Sequence, residues 1–148
     1  MSLDGWADVP CVVIDTNWVL DLCVFHDPRA QALRVALGAG QVRWLACPAM
    51  AAEWQRVLDY PVLQRRWARD PTARSAAQAW FADHVHSVPT APACGVACRD
   101  PDDQVFLNLA VAHRATLLSK DHHVLACRKR LGEKGALVSP DWPAQNIK

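Results

Sequence analysis

Short, unbroken apolar runs alternate along this chain with longer segments of helical period, and no hairpin turn signal joins any two runs. That alternation is the strongest constraint on the fold. Parallel strands need a crossover between them, usually a helix, and a strand covered on both faces carries continuous rather than alternating apolar residues. "VPCVVIDTN" (9–17) is the clearest case: β-branched, apolar throughout, and closed by Asp15, Thr16 and Asn17. Further short strands are expected at 41–48 (QVRWLACP), 115–119 (ATLLS) and 136–139 (ALVS). Helices are expected at 18–25 and at 27–40, the latter with Asp27 as cap and Pro28 in its first turn. The pattern continues as helix over 49–60, 61–87, 100–114 and 121–135, with 88–99 as a Pro- and Ala-rich loop. The expected class is α/β, in three α/β/α layers around a central parallel sheet. With neither repeat nor linker, the 148 residues read as one domain, its core about 10–140.

Composition narrows the function classes. At 51% hydrophobic and 21% charged residues the chain folds rather than staying disordered, and no apolar run approaches the length of a membrane span. The formal net charge of +1 gives no global attraction to nucleic acid, so any such binding must use local patches. The opening "MSLDGWADVP" has no basic segment followed by an apolar one, so no secretory leader is expected and the location is read as cytoplasmic. Cys11, Cys23, Cys47 and Cys127 lie in apolar stretches and read as small buried hydrophobes, reduced in a cytosol. His84, His86, Cys94 and Cys98 form H-x-H-x7-C-x3-C, a spacing that matches no established zinc pattern; ordinary loop residues are the better reading.

Four acids stand out. Ligands of doubly wound sheets bind beyond the carboxyl ends of the strands, and Asp15 and Asp121 both follow strands there. Each alone would serve as an ordinary helix cap. On the 49–60 helix the apolar stripe is Met50, Trp54, Val57 and Leu58, and Glu53 borders it instead of lying on the opposite face. In "RDPDDQVFLNLA" (99–110), Asp100 and Pro101 account for a helix start, while Asp103 shares a face with Phe106, Leu107 and Ala110. Converging carboxylates repel one another and call for a counter-cation. A hard divalent ion, Mg²⁺ or Mn²⁺, prefers oxygen ligands and supports phosphodiester hydrolysis without a Ser, Cys or His nucleophile. No Gly-rich phosphate loop, G-x-S-x-G elbow or H-E-x-x-H is present for rival chemistries.

"VVIDTN", "PAMAAEWQRVL", "DPDDQVFLNLA" and "TLLSKDHHVL", in this order, resemble the PIN domain family, and more narrowly its members regarded as toxins of toxin–antitoxin systems. The resemblance implies a metal-dependent endoribonuclease on an α/β/α fold, with Asp15, Glu53, Asp103 and Asp121 as catalytic metal ligands. It assigns Asn17, Asp100, Asp102 and Ser119 supporting places. It also implies an RNA substrate, an antitoxin partner and a possible homodimer. Lys120 departs from the family, which commonly has a small residue there. His122 and His123 are also unusual and read as exposed helix-start residues.

A cationic path for RNA is sought in "QRRWARDPTAR" (64–74), where Arg65, Arg66, Arg69 and Arg74 stand with Trp67 for base stacking, and in Lys120. "RKR" (128–130) with Lys134 is a second patch, and a solvated helix face explains either equally well. Two alternatives stay open. One is a PIN-like module that binds nucleic acid or a partner without cleaving. The other is a different Mg²⁺-dependent phosphoryl-transfer enzyme, disfavoured because Asn17 stands where an aspartyl-nucleophile phosphatase needs its second Asp.

Overall fold

The structure, a computed structural model, describes residues 9–143, so the expectation of no leader at the N-terminus falls mostly outside the described residues. Within them five strands form one parallel sheet: β1 (Cys11–Ile14), β2 (Arg43–Ala46), β3 (Val85–Ser87), β4 (Thr116–Leu118) and β5 (Leu137–Ser139). Their order is β3-β2-β1-β4-β5. Eight α-helices accompany them among the described residues: α1 (Thr16–Cys23), α2 (Gln31–Gly38), α3 (Pro48–Leu58), α4 (Pro61–Arg69), α5 (Pro71–His84), α6 (Gln104–His113), α7 (His122–Leu125) and α8 (Arg128–Glu133). Right-handed crossovers put α1–α5 on one face of the sheet and α6–α8 on the other. Packing agrees: α6 lies on β1 and β4, α8 on β5, and α1 against α2, α3 and α5. This is the expected α/β/α fold. None of the described helices is long and apolar enough to cross a membrane.

Chain order reverses between β1 and β4, so the switch point lies at their shared carboxyl edge. Both strands end level there, Ile14 opposite Leu118, and the next amide, Asp15 N–H, donates to Leu118 O at 2.9 Å. The core beneath is built on Trp18, Trp44, Trp54 and Phe106, all at most 2% exposed. On α3 the buried residues are Met50, Trp54, Val57 and Leu58, the stripe expected from periodicity. Trp54 stacks on Phe81 of α5 at 5.6 Å between ring centroids, and Phe81 meets Trp44 edge-on at 5.0 Å. These ring contacts fix the rotation of α3, and with it the position of Glu53.

Two expectations need correction. The helix expected to run to 87 ends at His84, and Val85–Ser87 forms β3, paired with Trp44–Ala46. A three-residue edge strand is too short to show a period. The single helix expected at 121–135 is two, broken at Cys127, whose amide bonds back only three residues to Val124 O. The cysteines also differ in part from expectation. Cys23, Cys47 and Cys127 are buried, but Cys11 opens β1 half-buried, while Cys98 in the loop is buried. Burial pushes the Cys23 thiol up to about 12, leaving it inert.

Candidate functional site

Asp15 follows β1 and caps α1. Its Oδ1 accepts from the Asn17 amide at 3.0 Å and its Oδ2 from Ser119 Oγ at 2.8 Å. The side chain is buried, and burial raises its carboxyl pKa, opposed by those two bonds and assisted by the charge of Asp121. Ser119 Oγ also accepts from the Asp121 amide at 3.1 Å. Asp121 in turn caps α7, its Oδ1 taking the His123 amide at 2.7 Å. One fully buried hydroxyl therefore ties together the acids that follow β1 and β4, at the switch point.

Glu53 approaches from α3. It is half-buried at the edge of the Met50–Trp54–Val57 stripe, and Thr16 Oγ1 donates to its Oε1 at 2.9 Å. Asp103 approaches from the other layer. It ends the 3₁₀ turn Pro101–Asp103 that leads into α6. Asp100 starts that turn by accepting the Asp102 amide at 3.0 Å, and Asp102 is exposed. Asp103 is half-buried, and its Oδ2 is buried with no hydrogen-bond partner. Burial pushes its carboxyl up to about 7, helped by the charges of Asp15, Asp121, Asp100 and Glu53, in that order.

Four other acids thus act on a carboxylate with a buried oxygen that lacks a partner. Such a carboxylate needs either a proton or a cation. All the donors on offer are oxygens, the chemistry that suits a hard divalent ion. Among the described residues, no three His, Cys, Asp or Glu side chains stand gathered as a ligating group. The His84/His86/Cys94/Cys98 pattern assembles none either. The His84 ring stacks on Trp80 at 3.8 Å, while the loop bearing Cys94 and Cys98 is held on α6 through Gln104 and Asn108.

The expected RNA path changes. Trp67 is buried with its Nε1 donating to Leu58 O at 2.8 Å, so it belongs to the core and is not a stacking platform. Arg74 is bound to Leu58 O and Asp59, and Arg66 donates to Val24 O and lies over the Phe25 ring. Lys120 pairs with Asp21 at 2.6 Å and sits over Trp18. Arg65 and Arg69 remain exposed on α4. Asn17 contributes its backbone amide to Asp15, with its side chain exposed. Sequence reasoning missed Thr16, whose hydroxyl holds Glu53; its one signal is a hydroxyl residue directly after a strand-end acid.

The fold is similar to a chain in the crystal structure of VapBC2 from Rickettsia felis bound to a DNA fragment from their promoter. The TM-score is 0.60, covering 87% of this chain and 97% of that one, at 12% identity. At that identity the likeness is one of fold. No curated protein matches the chain. The sequence matches the PIN domain over residues 11–123, a span that holds Asp15, Glu53, Asp103 and Asp121. The chain belongs to the PIN domain family.

Proposed function

We propose that this protein is a Mg²⁺- or Mn²⁺-dependent endoribonuclease and the toxin of a toxin–antitoxin pair. PIN domains are in general nucleases that use a divalent metal. The observation that carries the reading is Asp103: a half-buried carboxylate with one orphaned oxygen, surrounded by four other acids and pushed up to about 7. Asp15, Glu53, Asp103 and Asp121 would hold the ion. When bound, it would polarise a phosphoryl oxygen and ease ionisation of a water.

The chain's own residues do the positioning. Ser119 and the Asn17 amide lock the Asp15 carboxylate in one orientation. Thr16 does the same for Glu53, and the His123 amide for Asp121. Asp100 shapes the turn that delivers Asp103, and its charge adds to the field on that carboxyl. Hydroxyl donors of this kind orient a ligand carboxylate without neutralising it. Because a metal ligand must be deprotonated, the raised Asp103 carboxyl makes proton and ion compete for the same oxygen near neutral pH.

The same proposal includes a single domain over 1–148, a cytoplasmic location, single-stranded RNA as substrate, a homodimer, and an antitoxin partner. The partner is supported by the fold's likeness to a chain of the VapBC2 assembly. Purified Asp15→Asn and Asp103→Asn are expected to lose Mn²⁺-dependent cleavage of single-stranded RNA while keeping the wild-type circular dichroism spectrum. Undiminished cleavage by either variant would sink the assignment. Wild-type protein that binds RNA but never cleaves it would favour the non-catalytic module instead.

A further inference from the structure

A cavity of about 430 Å³ opens between the loop at 97–99 and the α7–α8 segment. Its floor includes Cys98 and Cys127, both buried, and its polar lining is Arg99, His122, His123 and Arg130. No acid lines it. The volume falls within the range of small-ligand pockets. Its wall runs directly into the acid cluster, because His123 is the residue whose amide caps Asp121, and Arg99 precedes Asp100 in the chain.

The cations here are available, unlike Lys120 beside Asp121, which pairs with Asp21. Among the described residues the ion pairs involve Arg29, Arg74 and Lys120, and neither Arg99 nor Arg130 takes part in one. Arg130 has a weak contact with Cys127 Sγ at 3.6 Å, and both guanidiniums are exposed. The alternative cavity beside α4 fits less well. It is lined by Asp70 as well as Arg66 and Arg69, and its Arg66 is engaged with Val24 O and the Phe25 ring.

We propose that Arg99, Arg130, His122 and His123 form a subsite for the nucleotide adjoining the cleaved bond, the two arginines binding its phosphate. This rests on the ribonuclease reading. Guanidinium is the side chain best suited to phosphate, with two parallel N–H donors. His122 and His123 lie with ring centroids 4.0 Å apart, and the exposed His122 ring gives an unstacked base a surface to pack on. Acids on one side and guanidiniums without an acid partner on the other give the strand a polarity: one phosphate at the acids, the next at Arg99 and Arg130.

Fluorescence anisotropy with a labelled single-stranded RNA octamer in EDTA tests this apart from catalysis. Arg99→Ala/Arg130→Ala is expected to bind roughly tenfold more weakly than wild type, with the salt slope of log K smaller by about 0.7, one lost phosphate contact. Both side chains are exposed, so the fold is expected to survive, and KM is expected to rise while kcat holds. Arg65→Ala/Arg69→Ala is the control, expected to lose less than the first pair. Equal affinity of wild type and Arg99→Ala/Arg130→Ala overturns the subsite, as does failure of the wild type to bind the octamer. Displacement of the octamer by equimolar inorganic phosphate also overturns it, in favour of a small-anion site. Binding that depends on Arg99 and Arg130 without any Mn²⁺-dependent cleavage supports the two arginines as an RNA phosphate site and overturns the nuclease reading.

Discussion

At neutral pH and without a counter-ion, Asp103 sits near its midpoint, because burial and the neighbouring acids push its carboxyl up to about 7. The sign of the resulting stability effect is definite. An unfolded Asp releases its proton near the model value of 3.8, whereas the folded one keeps it to about 7, so between those values the folded state binds more protons. The stability Asp103 contributes is present below the lower value and is lost as pH rises through the upper one. Asp15, raised by its burial, has the same sign. In EDTA, the Tm of Asp103→Asn is therefore expected to exceed that of wild type by a few degrees at pH 8, with the gap shrinking toward pH 4. Differential scanning calorimetry across that range measures it, and a gap that does not change with pH would contradict the account. At Thr16 the test is affinity. Thr16→Val keeps the shape and removes the hydroxyl that holds Glu53 at 2.9 Å, and is expected to weaken Mn²⁺ binding about 10–100-fold. The placement of the four acids was legible in the sequence: Asp15 and Asp121 follow strands, while Glu53 and Asp103 share or border an apolar helix face. Thr16 was not, since a threonine after a strand-end Asp reads simply as a helix start.

At the scale of elements, α3 shows how packing sets chemistry. Its apolar stripe was readable from the spacing of Met50, Trp54, Val57 and Leu58, and the same spacing put Glu53 at the rim. What spacing could not reveal is the partner: Trp54 stacks on Phe81 of α5, from a distant part of the chain. Trp54→Ala is expected to cost about 3–5 kcal/mol in urea unfolding and to reduce cleavage through the displaced Glu53. A loss under 1 kcal/mol would mean that α3 is held otherwise. The reading of Trp67 failed for a related reason. Surrounding arginines made it look like part of a binding surface, while its i, i+4 relation to Leu63 marks the buried face of α4. Strand β3 was lost to its three-residue length, and the break at Cys127 to the continuous apolar pattern across it.

At the scale of the whole molecule, the parallel order β3-β2-β1-β4-β5 determines where chemistry can occur. Asp15 and Asp121 are linked through Ser119 because β1 and β4 are neighbours, and Glu53 and Asp103 come to the field of those acids from two separate helical segments. That alternation was legible from the first strand onward. The cationic cavity was not, because Arg99, His122 and Arg130 come from separate segments that only the fold brings together. The central claim is that these four acids form one divalent-metal centre. Isothermal titration of Mn²⁺ into metal-free wild type and Asp103→Asn at pH 7.5 tests it most directly. The account predicts saturable binding to the wild type, with proton release, and at least a tenfold loss of affinity in the variant. Equal Mn²⁺ affinity in the two proteins would contradict it.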